Sequence, residues 1–387
     1  MQHGLLNLYL NLNRYYFDHN ATTPVSAGVL EALLPALAEV YGNASSIHHY
    51  GQIAKQRLEI ARRHVAGLLG CEPRELIFTA GGTEANNLAI FGVLSTGGHV
   101  VTTSIEHPAV LRVCEQFDVT MVPVGSNGIV DPDDVRRAIR PDTALISVMH
   151  ANNEIGTIQP LAEIARIAHE AGILFHADGV QAVGKLPTNV KALDVDLYSI
   201  SGHKLYAPKG IGALYIKKGT KLKPHLFGGR HERELRPGTE NVPGAVALGR
   251  AALDAMTANQ DGIGQFRDRL ERGILDAVPD CTVNGDRRSR LPNTTNISFD
   301  GFDGEAMVIS LDLKGFAVSS GSACSSGAVE PSHVLSALGL SKDQAKSSIR
   351  FSLGQGNTSE QVDSLVGAVA ESAAQLRKLS PAYSASY

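Results

Sequence analysis

Cysteine is scarce in this sequence, and the four cysteines form no recognised pattern. Cys71, Cys114, Cys281 and Cys324 lie far apart, and no two of them have the C-x-x-C spacing. Disulfide frameworks and zinc ribbons both depend on closely spaced cysteines. The sequence therefore supports neither kind of site and predicts four separate reduced thiols.

The sequence also lacks a strong charge of either sign and a long hydrophobic run. A formal net charge of −4 gives no basic field to bind a phosphate backbone, which argues against nucleic acid as a direct partner. No uninterrupted apolar run is long enough to span a membrane. Asparagines interrupt the leucine-rich start, and no Lys or Arg precedes its leucines, so it does not resemble a signal peptide. We therefore expect a cytoplasmic protein that contacts neither membrane nor nucleic acid.

The length and composition of the chain are those of a large globular α/β protein. The 387 residues exceed the usual size of one hydrophobic core, so we expect two domains. Apolar residues make up 43% of the chain and charged residues 19%, which is typical of a folded protein and not of a disordered or fibrous one.

Short apolar segments alternate with amphipathic helical patterns between about residues 46 and 255. The strand candidates are ELIFTA, HVVTTS, VTMVPV, ALISVMHA and ILFHADG, and the helix candidates include DPDDVRRAI and PLAEIARIAHEAG. This alternation predicts a mostly parallel sheet covered by helices on both faces. After ENVPGAVALGRAALDAM the pattern changes to that of a smaller α+β unit. We therefore predict a large domain over residues 18–257 and a small domain built from residues 1–17 and 258–387.

Two glycines lead from a predicted strand into a predicted helix in IFTAGGTEANNLAI. Free backbone N–H groups at Gly81 and Gly82, together with the Thr83 hydroxyl, would suit a phosphate or another anion. The segment is neither a Walker loop nor G-x-G-x-x-G, so it gives little support to ATP or dinucleotide binding. Taken alone, a plain tight turn is the favoured explanation, because most glycine pairs merely turn the chain.

An acid and a lysine follow two other predicted strands. Asp178 ends ILFHAD, and Lys204 ends DLYSISGHK. The carboxyl ends of strands in an open α/β sheet face the ligand crevice, so we expect both side chains there. Taken alone, Asp178 could be a helix cap or part of a salt bridge, and Lys204 could be a solvated lysine in a turn. A desolvated lysine, in contrast, is a nucleophile toward carbonyl carbon.

These three features together match the requirements of pyridoxal phosphate. The cofactor's phosphate needs hydrogen-bond donors, its ring nitrogen needs a carboxylate, and its aldehyde needs a lysine. The combination is more specific than any of its parts.

A series of motifs, in order along the chain, resembles the NifS/IscS-type cysteine desulfurases of the class V aminotransferase family. The motifs are YFDHNATTP, GNASSIHHYG, TAGGTEANN, EHPAV, NNEIGTIQP, ADGVQAVGK, SGHKLYAPKG, RPGTENVPG and SSGSACSSG, and the resemblance extends from residue 16 to about residue 354. It implies fold type I of the pyridoxal phosphate-dependent transferases, with a mostly parallel seven-stranded sheet in the large domain. It also implies a homodimer that converts L-cysteine to L-alanine.

The resemblance assigns residues to the cofactor. It implies that Lys204 holds pyridoxal phosphate as an internal aldimine, that Asp178 pairs with the ring nitrogen and that Gln181 contacts the ring hydroxyl. The phosphate would be held by the loop and strand-end residues Gly82, Thr83, Ser201 and His203, and by Thr239 from the neighbouring subunit.

The resemblance also assigns the substrate and proton-transfer residues. Asn153 and Arg350 match the positions that bind the substrate carboxylate, and Asn153 is also placed beside the cofactor. His107 matches the imidazole that stacks on the cofactor ring and moves protons. Without the family, His107 would be interpreted as a satisfied histidine at a strand end.

Cys324 carries the distinguishing chemistry of this family. Its neighbours in SSGSACSSG are small, which predicts a mobile loop, and the spacer before EPSHVLSALGL resembles the IscS/NifS group. The implied mechanism has Lys204 removing the Cα proton of the substrate. The Cys324 thiolate then attacks the substrate sulfur and keeps it as a persulfide. The sulfur would pass to an acceptor or scaffold protein in iron–sulfur cluster or thio-modification pathways.

Some features depart from the family pattern, and other functions stay open. About fourteen residues at the start look additional, His231 stands where glutamine is common, and LGQGNT lacks an arginine often found there. The alternatives are a selenocysteine lyase or aminotransferase of the same fold, and a non-catalytic sulfur-transfer or assembly subunit. We predict no metal site, because the pair His48 and His49 and the segment 225–231 lack thiolate or paired carboxylate support.

Overall fold

The computed structural model describes residues 14–320 and 331–379 of the chain. Cys324 and the additional residues at the start, up to residue 13, lie outside these ranges. Within the described residues, the secondary structure forms a seven-stranded sheet, a four-stranded sheet and a two-stranded parallel pair, with helices packed around them.

The strands of the described residues are short, and most belong to the two larger sheets. They are β1 (Tyr15–Tyr16), β2 (Leu76–Thr79), β3 (His99–Thr103), β4 (Asp118–Val122), β5 (Thr143–Ser147), β6 (Leu174–Asp178), β7 (Leu197–Ser201), β8 (Gly212–Ile216), β9 (Cys281–Val283), β10 (Thr294–Phe299), β11 (Phe316–Ala317), β12 (Ser319–Ser320) and β13 (Ser348–Ser352).

The α-helices of the same residues range from five to 21 residues in length. They are α1 (Ala27–Ala38), α2 (His49–Leu69), α3 (Gly82–Leu94), α4 (Pro108–Cys114), α5 (Pro132–Ala138), α6 (Leu161–Glu170), α7 (Val242–Ala255), α8 (Gln260–Ala277), α9 (Gly304–Leu313), α10 (His333–Ala337), α11 (Lys342–Lys346) and α12 (Ser359–Leu379). None of these helices combines the length and the hydrophobicity that crossing a membrane requires.

The seven-stranded sheet is mostly parallel, as the sequence predicts. Its strand order is β2-β8-β7-β6-β5-β3-β4, and only β8 runs antiparallel to its neighbours. Leu197 and Tyr198 show why the strands are apolar on both sides: Leu197 packs against α3 on one face, and Tyr198 packs into the larger core on the other. Because helices cover both faces, inner strands such as β3 and β7 are buried on both sides, whereas the edge strand β4 is partly exposed.

A second core surrounds the antiparallel sheet β12-β13-β10-β9. It joins residues of α8, α9 and α12 to those strands and includes Phe17, from near the start of the chain. Phe17 is fully buried there, and β1, just before it, pairs with β11. The predicted domain boundaries at residues 17 and 257 stay predictions.

Close backbone packing fixes the turn that begins α3. Gly81 has a φ of +156°, near the limit of the region that favours glycine, and a Cβ on Gly212 would lie 2.7 Å from the Gly81 Cα and 2.6 Å from the Ile200 carbonyl oxygen. At Gly212, the backbone of β8 therefore contacts the backbone of β7 and of the turn with no side chain between them. Any larger residue at position 212 must move one of these segments.

We predict that Gly212→Ala destabilises the protein by about 1–3 kcal/mol, because its methyl group meets backbone that cannot rotate away. The measurement is the free energy of unfolding in urea. The control is Gly67→Ala, which lies inside α2 with no atom near the added methyl group and should be neutral or stabilising by up to about 1 kcal/mol. Equal stability of Gly212→Ala and the wild type would contradict the packing argument.

Candidate active site

One cavity of about 430 Å³ opens at the carboxyl ends of the central strands. Strands β5, β6 and β7 end at its wall, and β13 of the second sheet contributes one side chain. It brings together ten of the residues assigned from the sequence: Gly82, Thr83, His107, Asn153, Asp178, Gln181, Ser201, His203, Lys204 and Arg350. These residues come from distant parts of the chain, so only the folded sheet makes them neighbours.

Lys204 lies in a 3-10 turn, Gly202–Lys204, directly after β7. Its Nζ donates hydrogen bonds to the carbonyl oxygens of Asn20 at 2.5 Å and Ala21 at 2.6 Å. Burial, together with the charge of Arg350, lowers the pKa of this amine to about 8, and Asp18 and Asp178 oppose the shift. The lysine is thus enclosed and bound to neutral carbonyls, unlike a solvated lysine in a turn.

Asp178 is the last residue of β6 and is 5% exposed. Asn86 Nδ2 donates to its Oδ2 at 2.7 Å, and the Val180 backbone N–H donates to its Oδ1 at 2.9 Å. Among the described side chains, no Lys, Arg or His lies within 4.0 Å of this carboxylate. Neutral donors therefore hold Asp178 in place while leaving it free to pair with a cationic group in the cavity.

The N-terminus of α3 provides donors at another side of the cavity. Its N-cap residue is a glycine, so no side chain caps the first turn, and the exposed Thr83 hydroxyl stands beside the free N–H groups. A Cβ on Gly82 would meet Val180 at 2.7 Å and Ser201 at 3.3 Å, which brings the Ser201 side chain close to the turn. This arrangement suits an anion.

His203 belongs to the same part of the cavity and is held neutral. Its Nδ1 lies 3.1 Å from the Thr22 hydroxyl. Burial, together with the charges of Lys204 and Lys209, lowers the pKa of this imidazole to about 4. The ring can therefore act as a hydrogen-bond donor or acceptor without adding a charge.

Arg350 lies on β13 and places a positive charge at the cavity. It is 8% exposed, and its Nη2 donates to Asp18 Oδ1 at 2.7 Å while its Nη1 donates to the Asn153 carbonyl at 3.2 Å. Its buried Nε has no partner among the described residues. Since a guanidinium has five N–H donors, Arg350 keeps donors for an anion. Asn153 reaches this cluster through its backbone carbonyl.

His107 is the N-cap residue of α4 and lines the cavity wall. Its Nδ1 accepts a hydrogen bond from the Ala109 backbone N–H at 3.1 Å, so a neutral ring carries its proton on Nε2. Burial lowers its pKa, Asp178 opposes this shift, and Lys204 and His333 add to it. His107 therefore presents an Nε2–H group to its surroundings near neutral pH.

Two assigned residues are not in the cavity wall. Thr239 is exposed, in the segment before α7. Cys324 lies outside the described residues, but the described residues on either side of it are close to the site. Ser319 pairs with Arg350 in the sheet, and Ser332 donates to Glu154 Oε2 at 2.5 Å.

Asn20 joins the two parts of the molecule at the cavity, and sequence reasoning missed it. It is 1% exposed; its carbonyl oxygen accepts from both Lys204 and Gln181, and its Nδ2 donates to Thr294 Oγ1 at 2.8 Å and to the Asn153 carbonyl. These four partners lie 133 to 274 residues away, so no local pattern could reveal them. The only signal was its place in the motif YFDHNATTP.

The histidines weighed for a metal site have other contacts. His48 caps α2 by accepting a hydrogen bond from the Gly51 N–H, and His225 stacks on Phe91 with ring centroids 4.5 Å apart. Across residues 14–320 and 331–379, no three His, Cys, Asp or Glu side chains are grouped so that they could hold a metal ion.

Comparison with known proteins identifies the family. The sequence profile of the family described as "Aminotransferase class-V" matches residues 15–365. The chain belongs to this family. It is 48% identical over 378 residues to the cysteine desulfurase IscS of Dictyoglomus turgidum, with 95% of this chain and 96% of that protein covered.

Solved structures of this class V family agree with the fold. A NifS-like protein matches with a TM-score of 0.88 and 37% identity, covering 94% of this chain and all of that one. SspA in complex with cysteine matches with a TM-score of 0.79 and 36% identity, covering 87% of this chain and 98% of that one. The predicted fold class and the prediction of a NifS/IscS-type cysteine desulfurase are confirmed.

We predict that Lys204 in the cofactor-free protein reacts with trinitrobenzenesulfonate at a rate that rises through pH about 8. Only the neutral amine attacks, and burial favours that form. In Arg350→Met the midpoint should move to higher pH, because a cation that lowers the pKa is removed. Peptide mass spectrometry gives the rate for Lys204 and for exposed Lys209 in the same sample. Identical profiles for the two lysines would disprove the enclosure of Lys204.

Proposed function

We propose that this chain uses pyridoxal phosphate, held by Lys204, to convert L-cysteine to L-alanine, with the sulfur taken up as a persulfide on Cys324. The observation that carries the proposal is the single cavity in which an enclosed amine, an unpaired carboxylate, an anion-binding helix start and a buried arginine meet. The similarity to a structure of SspA in complex with cysteine supports the substrate.

The donors of the cavity fit this cofactor. The uncapped start of α3, with the Thr83 and Ser201 hydroxyls nearby, suits the phosphate. Asp178 suits the protonated ring nitrogen, because its two oxygens are oriented by neutral donors and meet no basic side chain of the described ranges. Gln181 lines the same wall and suits the ring hydroxyl. When bound, the cofactor supplies an electron sink for the substrate Cα.

Side chains of the protein bind the substrate and transfer its protons. Arg350 binds the substrate carboxylate through the N–H groups that Asp18 and Asn153 leave free. Lys204 accepts the Cα proton at Nζ, for which its lowered pKa makes a neutral amine available. His107 holds a proton at Nε2 beside the same cavity. The overall change is balanced: L-cysteine and the Cys324 thiol give L-alanine and the Cys324 persulfide.

The assignment of the sulfur to Cys324 is supported by the state of the other thiols. Burial raises the pKa of Cys71 and of Cys114 to about 12, and it also raises the pKa of Cys281. Such thiols are poor nucleophiles near neutral pH, because the thiolate is the reactive form. None of the three lines the cavity.

We further propose a homodimer, with Thr239 completing the phosphate site of the neighbouring subunit. Thr239 is exposed and stands away from the cavity of its own chain. Leu30, Leu34 and Leu37 follow one another at helical spacing on α1, and each is about half exposed. Such a row of exposed leucines is typical of a surface that another chain covers.

The sulfur acceptor and the cellular location also belong to the proposal. The persulfide would be passed to an acceptor or scaffold protein of iron–sulfur cluster assembly or of a thio-modification pathway. A cytoplasmic location is supported by the free thiols of Cys71, Cys114 and Cys281, since reducing compartments keep such thiols unpaired.

We predict that Lys204→Ala abolishes the visible absorption of the bound cofactor, whereas Cys324→Ala keeps it and loses alanine formation by at least about 10²-fold. The measurements are an absorption spectrum and an assay of alanine from L-cysteine. Cys281→Ala is the matched control and should retain activity. Undiminished alanine formation by Cys324→Ala would favour a lyase that releases the sulfur without this cysteine, undiminished consumption of L-cysteine without alanine would favour an aminotransferase, and a wild type without visible absorption would favour a non-catalytic subunit.

We predict that, at limiting cofactor, mixing Lys204→Ala, which is inactive, with Thr239→Val, which loses one hydrogen bond to the phosphate, gives more activity than either variant alone. In a dimer of one Lys204→Ala and one Thr239→Val subunit, the Thr239→Val subunit keeps its own Lys204 and receives an intact Thr239 from its partner. One complete site therefore forms, while each variant alone has none. Activity is measured after dissociation and reassociation of the mixture. No gain in confirmed mixed dimers would show that Thr239 acts within its own subunit or not at all.

A further inference from the structure

A second lysine, Lys185, lies behind Lys204, on the side away from the main cavity. Both lysines line a small separate cavity of about 20 Å³, and only Lys204 lines the larger one. Gly184 makes this approach possible. Its φ is +74°, and a Cβ there would lie 2.1 Å from the Leu205 side chain, so only glycine lets the chain pass next to the residue that follows Lys204.

The amine of Lys185 has two acceptors and no acid. Its Nζ donates to Gln181 Oε1 at 2.7 Å and to Asn20 Oδ1 at 3.2 Å. No carboxylate of the described chain lies within 4.0 Å of it. An ammonium group has three N–H donors, whereas a neutral amine has two. Two neutral acceptors therefore match a neutral amine.

The charges around Lys185 also favour the neutral form of its amine. The charged groups that act on it are Lys204 and Arg350, and His19, Tyr206 and Asp254 line the same small cavity. Asp254, the acid of that cavity wall, is paired with Arg250. Burial lowers the pKa of Lys185 well below its ordinary value, and Lys204 and Arg350 lower it further. Burial, with Lys185 adding to the effect, also lowers the pKa of His19 to about 4. The acid nearest to Arg350, Asp18, is already paired with it.

The hydrogen bond from Lys185 and the carbonyl of Asn20 together fix which way the Gln181 amide points. Because Oε1 accepts from Lys185, the Nε2–H₂ group is the end that remains for other partners. Nε2 donates to the Asn20 carbonyl at 2.9 Å, the same oxygen that accepts from Lys204. A reversed amide would lose both bonds and would place Oε1 against the Asn20 carbonyl oxygen, so the two contacts favour the same orientation.

We propose that Lys185 is a positioning residue of the active site: as a neutral donor it locks the Gln181 amide so that its N–H end serves the ring hydroxyl of the cofactor. This inference rests on the proposed function, because it assumes pyridoxal phosphate in the cavity. It adds a residue that acts only through Gln181 and contacts neither cofactor nor substrate.

The test compares pyridoxal phosphate with its 3-deoxy analogue, which lacks the ring hydroxyl. Both are titrated into cofactor-free wild type and Lys185→Met, and the dissociation constants are measured. We expect Lys185→Met to weaken pyridoxal phosphate about 3- to 10-fold, the effect of one hydrogen bond, and to leave the analogue unchanged. A structural role would weaken both alike and would overturn the proposal, as would equal binding of pyridoxal phosphate by the variant and the wild type.

Gln181→Leu provides the coupling control. Because Lys185 acts through Gln181, the double variant should bind pyridoxal phosphate no more weakly than Gln181→Leu alone. Additive losses would contradict this. Lys191→Met, which changes an exposed lysine of the next loop, should match the wild type with both probes.

Lys185→Arg tests whether the Lys185 amine is neutral. It also replaces Lys185→Met in the binding test if that variant does not fold. Arginine keeps the donor to Gln181, so the preference for pyridoxal phosphate over the analogue should stay near the wild-type value. Its permanent charge should move the midpoint of Lys204 modification to lower pH. A lost preference or an unmoved midpoint would overturn the proposal. Failure of the wild type itself to bind pyridoxal phosphate would instead refute the proposed function.

Discussion

The site depends on keeping the Lys204 amine enclosed without giving it an acid as a partner. A carboxylate at hydrogen-bond distance would hold the amine protonated, and a solvated amine would also stay charged. The fold offers it two backbone carbonyls instead, and both acids that favour its charged form act from further away. Asp18 is bound to Arg350, and Asp178 is oriented by Asn86 and by the Val180 N–H. The amine is therefore largely enclosed, held by two carbonyls and less basic than an ordinary lysine.

The architecture supplies this environment by bringing together segments that are far apart in sequence. Parallel strands deliver Asp178 and the turn that carries Lys204 to one edge of the sheet, because their carboxyl ends lie side by side. The segment around Asn20 then crosses to the second sheet, where the Asn20 N–H donates to Ser352 Oγ and its side chain to Thr294. Asn20 thereby fixes the position of β13, and with it Arg350, relative to Lys204.

Much of the sheet and most of the cavity wall could be predicted from the sequence, because they depend on short-range patterns. Apolar runs of four to eight residues marked the strands, and the polar residues that follow them marked the site. Asn20, Asn86 and Lys185 could not be found in this way, since their partners lie elsewhere in the chain and a buried amide or amine leaves no periodic signal. Lys185 ends the motif ADGVQAVGK, yet only the fold shows that Gly184 brings it behind Lys204.

The charges of the cavity explain how one amine can serve two opposite tasks under the proposed function. Lys204 must first be neutral, to attack an aldehyde, and must later accept a proton from the substrate Cα. Arg350 is the charged group that lowers its pKa in the free protein. When the substrate carboxylate binds Arg350, its negative charge offsets that cation, and the proton affinity of Lys204 rises. Binding of the substrate thus makes Lys204 a stronger base. The substrate carboxylate can bind Arg350 only because Asp18 leaves part of the guanidinium free.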